Sequence, residues 1–461
     1  MSDTAMWPST DWWRGFGSPE LDDLIEQART NNFDIAAAIA RIRQADAQVR
    51  IAGAALLPTV SGTGTAQWQQ ISTSVSRSSG TGSFVSKKTS DVRTYSLGAD
   101  AAYEVDFWQK NLAVRQAAVA SAVFSRFDEQ TVILTVVTTV ASTWFTALAY
   151  NDRLTVAQSN LAAAEQTLQV IQARLAAGTA SALDVAQQAA LVAGQRANIP
   201  NLRNQMEQQL IGLGILIGRP PESVSVQPGT LDRLEAPPVG AGIPSELLGR
   251  RPDIAAAEAD LVAANANIKA ARAAFFPSVQ LTGSGGVQNA ALNTLLNPGS
   301  GVASVAAGLT APIFDGGTLR GNLEQANGRY DELLADYRKS VVQAFTDVED
   351  ALTAYAYATQ QEQLQREAVR TAQMAADIAR AQLGAGTVDI TTVLQAQTTL
   401  FSDQDVLVQV RLARFLALLN LYKALGGGWT QPGGTILEQF PGLSPDMVRG
   451  GVALPIGGNI E

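Results

Sequence analysis

The side chains best placed to do chemistry in this sequence are its acids, because histidine and cysteine are both absent. Their absence removes Cys/His zinc sites, Ser-His-Asp and Cys-His catalysis, and disulfide stapling. It leaves the compartment open, since an oxidising space also tolerates cysteine-free proteins. Glu104 and Asp106 would be paired acids for glycoside cleavage, but they fall at a strand-to-helix junction without a clustered aromatic sugar platform. Asp347, Glu349 and Asp350 form an acidic cluster on a long helix. It reads as a solvated or lumen-facing surface rather than a carboxylate metal site. Gly283-Ser284-Gly285-Gly286 lacks the Lys-Ser/Thr that completes a phosphate loop and reads as hairpin chemistry. A net charge of −9 offers no basic surface to nucleic acid. The expectation is no catalytic residue, no metal, no cofactor and no enzyme.

The elements that must position these acids are long helices in two copies. From Arg380 to Leu425 the chain breaks at Leu383-Gly384-Ala385-Gly386-Thr387 and then keeps a seven-residue apolar pattern. One row is Val393, Leu400, Leu407 and Leu421, with Arg414 the single intrusion; Leu394, Phe401, Val408, Phe415 and Tyr422 run beside it. A spacing of seven is the signature of coiled-coil packing and imposes a left-handed supercoil. The same object stands at Leu175-Ala176-Ala177-Gly178-Thr179, followed by Val185, Val192, Ile199, Met206 and Leu213. The offset is 208 residues, from Gly178 to Gly386 and from Leu213 to Leu421. Earlier, Asp34-Ile35-Ala36-Ala37-Ala38 is echoed by Asp253-Ile254-Ala255-Ala256-Ala257 at an offset of 219.

This doubling sets the predicted organisation. Residues 1–227 form a first repeat with helices at 19–57 and 111–213 and a β-hairpin at about 59–105. Residues 228–429 form a second, with helices at 252–276 and 318–425 and a hairpin at about 278–313; 430–461 is an irregular tail. The first hairpin carries a Ser/Gly/Lys loop at roughly Ser76 to Asp91, and the 11-residue drop in offset makes it the longer of the two. The Trp-rich residues 1–18 are expected to lie extended along the surface, and Trp7, Trp12, Trp13 and Trp68 are candidate membrane-interface anchors. Pro200 is expected to kink or interrupt its helix. Met1 to Phe16 lacks the basic start and apolar core of a signal peptide, which leaves a cytoplasmic protein or a processed mature chain. Gln130 to Asn151 is uncharged and long enough to cross a bilayer. Its twin at offset 208 carries Lys339, Asp347, Glu349 and Asp350, so a buried helix is expected instead.

Four strands leave two open edges and cannot close a barrel. Two copies of the chain would supply eight strands and three would supply twelve. Twelve helical columns ~10 Å apart make a ring of roughly 120 Å circumference, which is hollow. Self-association into a tube is therefore expected.

Several stretches carry a family resemblance. They are Trp12-Trp13-Arg14-Gly15-Phe16 with Pro19-Glu20-Leu21, Tyr103-Glu104-Val105-Asp106-Phe107-Trp108, Leu216-Ile217-Gly218-Arg219-Pro220-Pro221, Pro244-Ser245-Glu246-Leu247-Leu248-Gly249-Arg250-Arg251-Pro252-Asp253 and Ala311-Pro312-Ile313-Phe314-Asp315-Gly316-Gly317. In this order the chain resembles the trimeric outer-membrane efflux channels of the outer-membrane factor family, nodulation-protein-T type. The resemblance implies a mainly α fold with a β-barrel part. It would be a homotrimer whose twelve-stranded barrel sits in outer-membrane lipid and continues into a periplasmic coiled-coil barrel. It implies docking to a periplasmic adaptor (membrane fusion) protein and an inner-membrane efflux transporter, and export of drugs or metal ions. The alternative is a periplasmic adaptor or scaffold built on long helical hairpins. Members usually begin with a signal peptide and a lipid-bearing cysteine, neither of which stands here.

The family motif makes the two breaks, Gly178-Thr179 and Gly386-Thr387, the adaptor-docking tips; the plainer reading is that glycine supplies a left-handed helix cap. It places Asp184 near the pore mouth, and Asp389 close to the second turn. Repeated threefold, each would ring a narrow passage with negative charge and favour cations; the plainer reading of Asp389 is a helix cap. Members often have Leu-Asp-Ala-Gln after the second break. Here Leu394-Gln395-Ala396-Gln397 stands, so Gln395 weakens the expected constriction.

Overall fold

A computed structural model describes residues 7–79, 82–223, 229–237 and 244–431. The chain starts with a short 3-10 turn, Trp12–Phe16, and two helices, α1 (Pro19–Asn31) and α2 (Phe33–Ala54). Ser18 caps α1 by accepting the Leu21 N–H, with Pro19 at a position where its missing N–H is harmless. Asn32 starts α2: its Oδ1 accepts from the amides of Asp34 and Ile35 at 2.8 and 3.2 Å, while its Nδ2 donates to Leu216 O.

Strands β1 (Thr59–Ser79) and β2 (Gly82–Val105) follow, then α3 (Lys110–Ala176) and α4 (Ala182–Leu216). The second repeat supplies a single turn, α5 (Pro244–Leu247), then α6 (Pro252–Ala273), β3 (Ser278–Asn289), β4 (Gly301–Thr310), α7 (Thr318–Ala385) and α8 (Ile390–Ala424). Helices α3 and α7 hold 67 and 68 residues, about 100 Å at 1.5 Å per residue. No helix of that length is stable without lateral packing.

Two compact units divide the chain, and each draws on both repeats. One comprises residues 1–42, 123–258 and 335–433 and is helical where described. Its core stacks aromatic rings: Trp12 lies on Tyr422 at 4.7 Å, Phe16 meets Phe145 edge-on at 5.0 Å, and Phe145 packs on Phe415 at 5.4 Å. Val136, Val137, Val140, Ala141, Trp144 and Leu148 of α3 are buried in the same cluster. The long uncharged run of α3 is thus consumed by helix packing, as its charged twin led us to expect.

The other unit comprises residues 43–122, 259–334 and 434–461, and its described part carries the sheet. The four strands run antiparallel in the order β1-β2-β3-β4, with β2–β3 joining the two hairpins. Strands β1 and β4 are its two open edges.

Four expectations need correction. The Trp-rich start is not extended on the surface: Trp12, Trp13 and Phe16 are 3, 4 and 0% exposed, because three bulky rings on one turn find a core between α1, α3 and α8. Trp12 and Trp13 are therefore no membrane anchors, and Trp7 donates to Glu246 beneath the Arg250 guanidinium. The Ser76–Asp91 loop is instead a continuous ladder, from Ser76 opposite Val85 to Gln70 opposite Asp91. Its polar Ser/Thr alternation hid a strand whose partner is equally polar. Of the two outcomes expected at Pro200, the interruption does not occur: Pro200 lies inside α4, which runs from Ala182 to Leu216. The predicted tail lies outside the described residues from 432 onward, as do 1–6 and the boundary at 227/228.

Candidate functional site

Strand alternation gives the sheet two unlike faces. Residues directly opposite one another share a face, so the register assigns every position. One face carries Val60, Gly62, Gly64, Ala66 and Trp68 on β1, Tyr95, Leu97, Ala99, Ala101 and Tyr103 on β2, Val279, Leu281, Gly283, Gly285 and Val287 on β3, and Leu309, Ala307, Val305, Ala303 and Gly301 on β4. From Val60 to Ala66 and across the strands beside them that band carries no charged side chain, Arg93 standing opposite Trp68 at its far end, and Val60, Trp68, Val305 and Leu309 are 61–91% exposed. An exposed apolar band of this extent needs a non-aqueous neighbour. From Val60 to Trp68 the strand covers about 27 Å, or roughly 20 Å along the normal at a tilt near 40°, close to the ~25 Å apolar height of a membrane barrel. The other face presents Thr59, Ser61, Thr63, Thr65 and Gln67, and Asp100, Ser96 and Thr94 opposite them. Thr63 donates to Asp100 at 2.9 Å, and Thr65 and Ser96 share a hydrogen bond at 2.6 Å. Below the strands Trp108 stacks on Phe276 at 4.5 Å and donates to Pro277 O, an aromatic pair at the helix-side border of the apolar band.

The helical turns at the two breaks are twins. Gly178 and Gly386 take φ of 74° and 75°, the left-handed region. Thr179 N–H reaches back to Arg174 O at 2.8 Å and Gly178 N–H to Leu175 O at 2.9 Å; Thr387 and Gly386 make the same pair of bonds to Gln382 O and Leu383 O, each at 3.0 Å. This is a Schellman ending. The threonine hydroxyl adds a second bond to the same carbonyl in both copies. The two tips pack together around Ile171, Ala379, Leu383, Ile390 and Val393. The reading of glycine as a left-handed cap therefore describes both turns.

The acids beside them are caps as well. Ser181 and Asp184 form a capping box: Ser181 N–H donates to Asp184 Oδ2 at 2.7 Å, and Asp184 N–H to Ser181 Oγ at 3.2 Å. Asp389 caps α8, accepting from Thr391 Oγ1 at 2.7 Å, Thr392 N–H at 3.0 Å and Thr392 Oγ1 at 2.9 Å. The Thr391 hydroxyl first, then the Thr392 amide and hydroxyl, hold its carboxyl below the usual aspartate range. Asp389 is thus an ionised, exposed charge at the tip. Gln395 is exposed one turn further along α8.

Of the remaining candidate acids, Glu349 and Asp350 are exposed on α7, and the other three are engaged in the fold. Asp347 accepts from Arg251 at 3.0 Å, and Arg251 also forks onto Asp253. Glu104 pairs with Lys110 at 2.6 Å, and Asp106 caps α3 by accepting from the amides of Asn111 and Leu112. No group of three metal-ligating side chains is present among the described residues.

Two buried polar groups escaped sequence reading. Gln188 and Gln397, 0 and 1% exposed, form a layer across α3, α4 and α8: Gln397 donates to Thr167 Oγ1 and Gln188 to Ala164 O, both at 2.9 Å. Each glutamine interrupts an apolar heptad stripe, Gln188 between Val185 and Val192 and Gln397 between Val393 and Leu400, which was the available signal. Glu362 of α7, 2% exposed, gathers Arg366 at 2.6 Å, Arg414 at 2.9 Å and Arg411 at 3.2 Å. Arg414, the intrusion in the heptad row, marked where that acid would be.

Comparison with known proteins identifies the family. The outer membrane efflux protein family matches residues 24–219 and 243–427. The pyoverdine export outer membrane protein OpmQ of Pseudomonas aeruginosa is 43% identical over 420 residues, 91% of this chain and 87% of that protein. The probable efflux pump outer membrane protein TtgC of Pseudomonas putida is 32% identical over 428 residues, covering 93 and 87%. The crystal structure of the open state of the Neisseria gonorrhoeae MtrE outer membrane channel superposes with a TM-score of 0.82 at 29% identity, covering 94% of this chain and 95% of that one.

Proposed function

The chain belongs to the outer membrane efflux protein family and is an outer-membrane efflux channel, and on that premise we propose that three copies join edge to edge into one duct. The observation that carries this is the open four-stranded sheet with one apolar and one polar face. A sheet inside a bilayer cannot leave strand edges unpaired, because each lone N–H or C=O in hydrocarbon costs several kcal/mol. Joining β4 of one copy to β1 of the next satisfies both edges, turns the apolar face to lipid and the hydroxyl-rich face to a wet lumen. Three copies give twelve strands, within the range of membrane barrels.

The duct catalyses nothing. It passes solute delivered by a periplasmic adaptor and an inner-membrane transporter, with the paired turns at Gly178-Thr179 and Gly386-Thr387 as docking tips. Asp184 and Asp389, fixed by their caps, ring the tip passage, and Gln395 leaves the next level uncharged. The cargo is a small molecule of the kind handled by the relative named for pyoverdine export.

The test exploits the lack of native cysteine. Pairs such as Thr63→Cys with Ser304→Cys, scanned over neighbouring registers, should give a covalent trimer on oxidation, and single variants should not. Reconstituted protein should conduct in planar bilayers. A chain that stays monomeric in detergent and conducts nothing overturns the duct. Expression in place of the outer-membrane component of a pyoverdine exporter tests the cargo, restored secretion being the expected result.

A further inference from the structure

Beyond Trp68 and Tyr95, aromatic residues at the end of the apolar band away from the helices, β1 and β2 continue as a ribbon that no longer pairs with β3: the β2–β3 ladder ends at Tyr95 opposite Asn289, while β1–β2 runs on to Ser79 opposite Gly82. Alternation is unbroken, so the face that carries Val60, Ala66 and Trp68 carries Gln70, Ser72 and Ser74 further out. Opposite Trp68, Gln70, Ser72 and Ser74 stand Arg93, Asp91, Thr89 and Lys87. Arg93 is thus cross-strand neighbour to Trp68 and two residues from Tyr95, at the level where the apolar band ends.

Charge is concentrated here. The stretch Ser72–Arg93 has four cations, Arg77, Lys87, Lys88 and Arg93, against the single acid Asp91, in a chain of net charge −9. The second hairpin's end, residues 290–300, has no charged residue. Asp91 accepts from Gln70 at 3.2 Å. Arg93 and Lys87 are exposed and have no ion pair among the described residues. The hairpin end lies at the opposite end of the strands from their helical junctions at Pro58 and Asp106, and therefore on the outer side of the membrane.

We propose that Arg93 and Lys87 form a docking site for the phosphates of the outer-leaflet glycolipid, lipid A. The inference rests on the duct reading for which face meets lipid. A cation directly beyond an aromatic border meets lipid headgroups, and anionic headgroups attract exposed Arg and Lys. The occupant is lipid rather than cargo, because alternation puts both side chains on the face continuous with the apolar band and away from the lumen. Thr89, Ser72 and Ser74 on the same face supply hydroxyl donors around the phosphate. Three copies would place three such sites around one barrel, each beside an uncharged second hairpin.

The experiment places purified protein in phosphatidylcholine nanodiscs doped with lipid A or with its dephosphorylated form, and reads the melting temperature of the oligomer and the lipids retained in native mass spectrometry. Phosphorylated lipid A should raise the melting temperature and be retained; the dephosphorylated form should do neither. The double variant Arg93→Gln/Lys87→Gln should lose both effects while keeping its single-channel conductance. Arg93→Lys/Lys87→Arg, which preserves both charges, should retain them. A trimer that responds alike to all lipids, or a double variant that still responds to phosphorylated lipid A, overturns this site alone. A chain that forms no oligomer in any lipid overturns the duct and this site together.

Discussion

Glu362 of α7 and Arg411 of α8 meet at 3.2 Å with side chains only 2 and 8% exposed. Arg411 also reaches Asp232, in the short turn between the repeats, at 2.6 Å, so one guanidinium ties two helices to the linker. A pair this dry is weak evidence of net stabilisation, but removing one member is costly because the other charge is left buried. Glu362→Gln should destabilise the protein by about 3–5 kcal/mol. Urea unfolding of the detergent-solubilised variant measures it, and a loss below ~1 kcal/mol would show that water reaches the site.

The same carboxyl predicts an acid limb. Burial pushes Glu362 up, but the Arg366 hydrogen bond, the Arg414 charge and the Arg411 hydrogen bond outweigh it and hold the group below the ordinary glutamate value of 4.5. Its folded form binds a proton less readily than its unfolded form, so its contribution is complete above pH 4.5 and fades as pH falls through the lowered value. Stability of the parent should therefore fall below that point faster than stability of Glu362→Gln. Parallel acid limbs would remove Glu362 from the account.

Gln397 makes a different prediction. Its amide is bonded to Thr167 and lies 3.5 Å from Gln188, whose own Oε1 has no partner among the described residues. Gln397→Ala takes from the Thr167 hydroxyl the donor it accepts, leaving only its own bond to Ala163 O, and opens a cavity, and should cost about 2–4 kcal/mol. The double variant Gln188→Leu/Gln397→Leu replaces the layer with apolar bulk and should be nearly neutral or stabilising. If the double variant is as damaged as Gln397→Ala, the layer is held by shape rather than by its amides.

These cases show what local reading can reach. The tips were legible because a left-handed glycine, a threonine and a cap residue are written contiguously, twice. The strand ladder above Gln70 was not, because Ser, Thr and Lys in alternation look alike in a loop and in a ribbon wet on both faces. Trp12 and Phe16 deceived for a related reason. Their partners Tyr422 and Phe145 are distant in sequence, and nothing near residue 12 announces a core. Arg414 was visible as an anomaly, but its explanation lay on α7.

The tip glycines predict a matched pair of effects. A Cβ at Gly178 meets no atom within 4 Å, so Gly178→Ala tests backbone strain alone. Its left-handed φ should make the substitution cost about 1 kcal/mol, and Gly386→Ala should cost a similar amount. The double variant should melt lower by the sum of the two, measured by circular dichroism. A clearly unequal pair would show that the twin turns do not bear equal loads.

Asp389 and Gln395 separate capping from conduction. Asp389→Asn keeps an oxygen that accepts the Thr392 amide and removes the charge, whereas Asp389→Ala removes both. If the carboxylate acts on permeating ions, Asn and Ala should reduce cation preference equally in planar bilayers, while only Ala should loosen the α8 terminus in hydrogen exchange. Gln395→Asp adds a charge one turn along on an exposed position and should raise cation preference, because like charges ringed threefold in a narrow passage sum their fields. Raised salt should diminish both effects, since screening shortens the reach of exposed charges to about 8–10 Å or less. Selectivity unmoved by Asp389→Asn and by Gln395→Asp would leave Asp389 as a cap and put the selective level elsewhere in the duct.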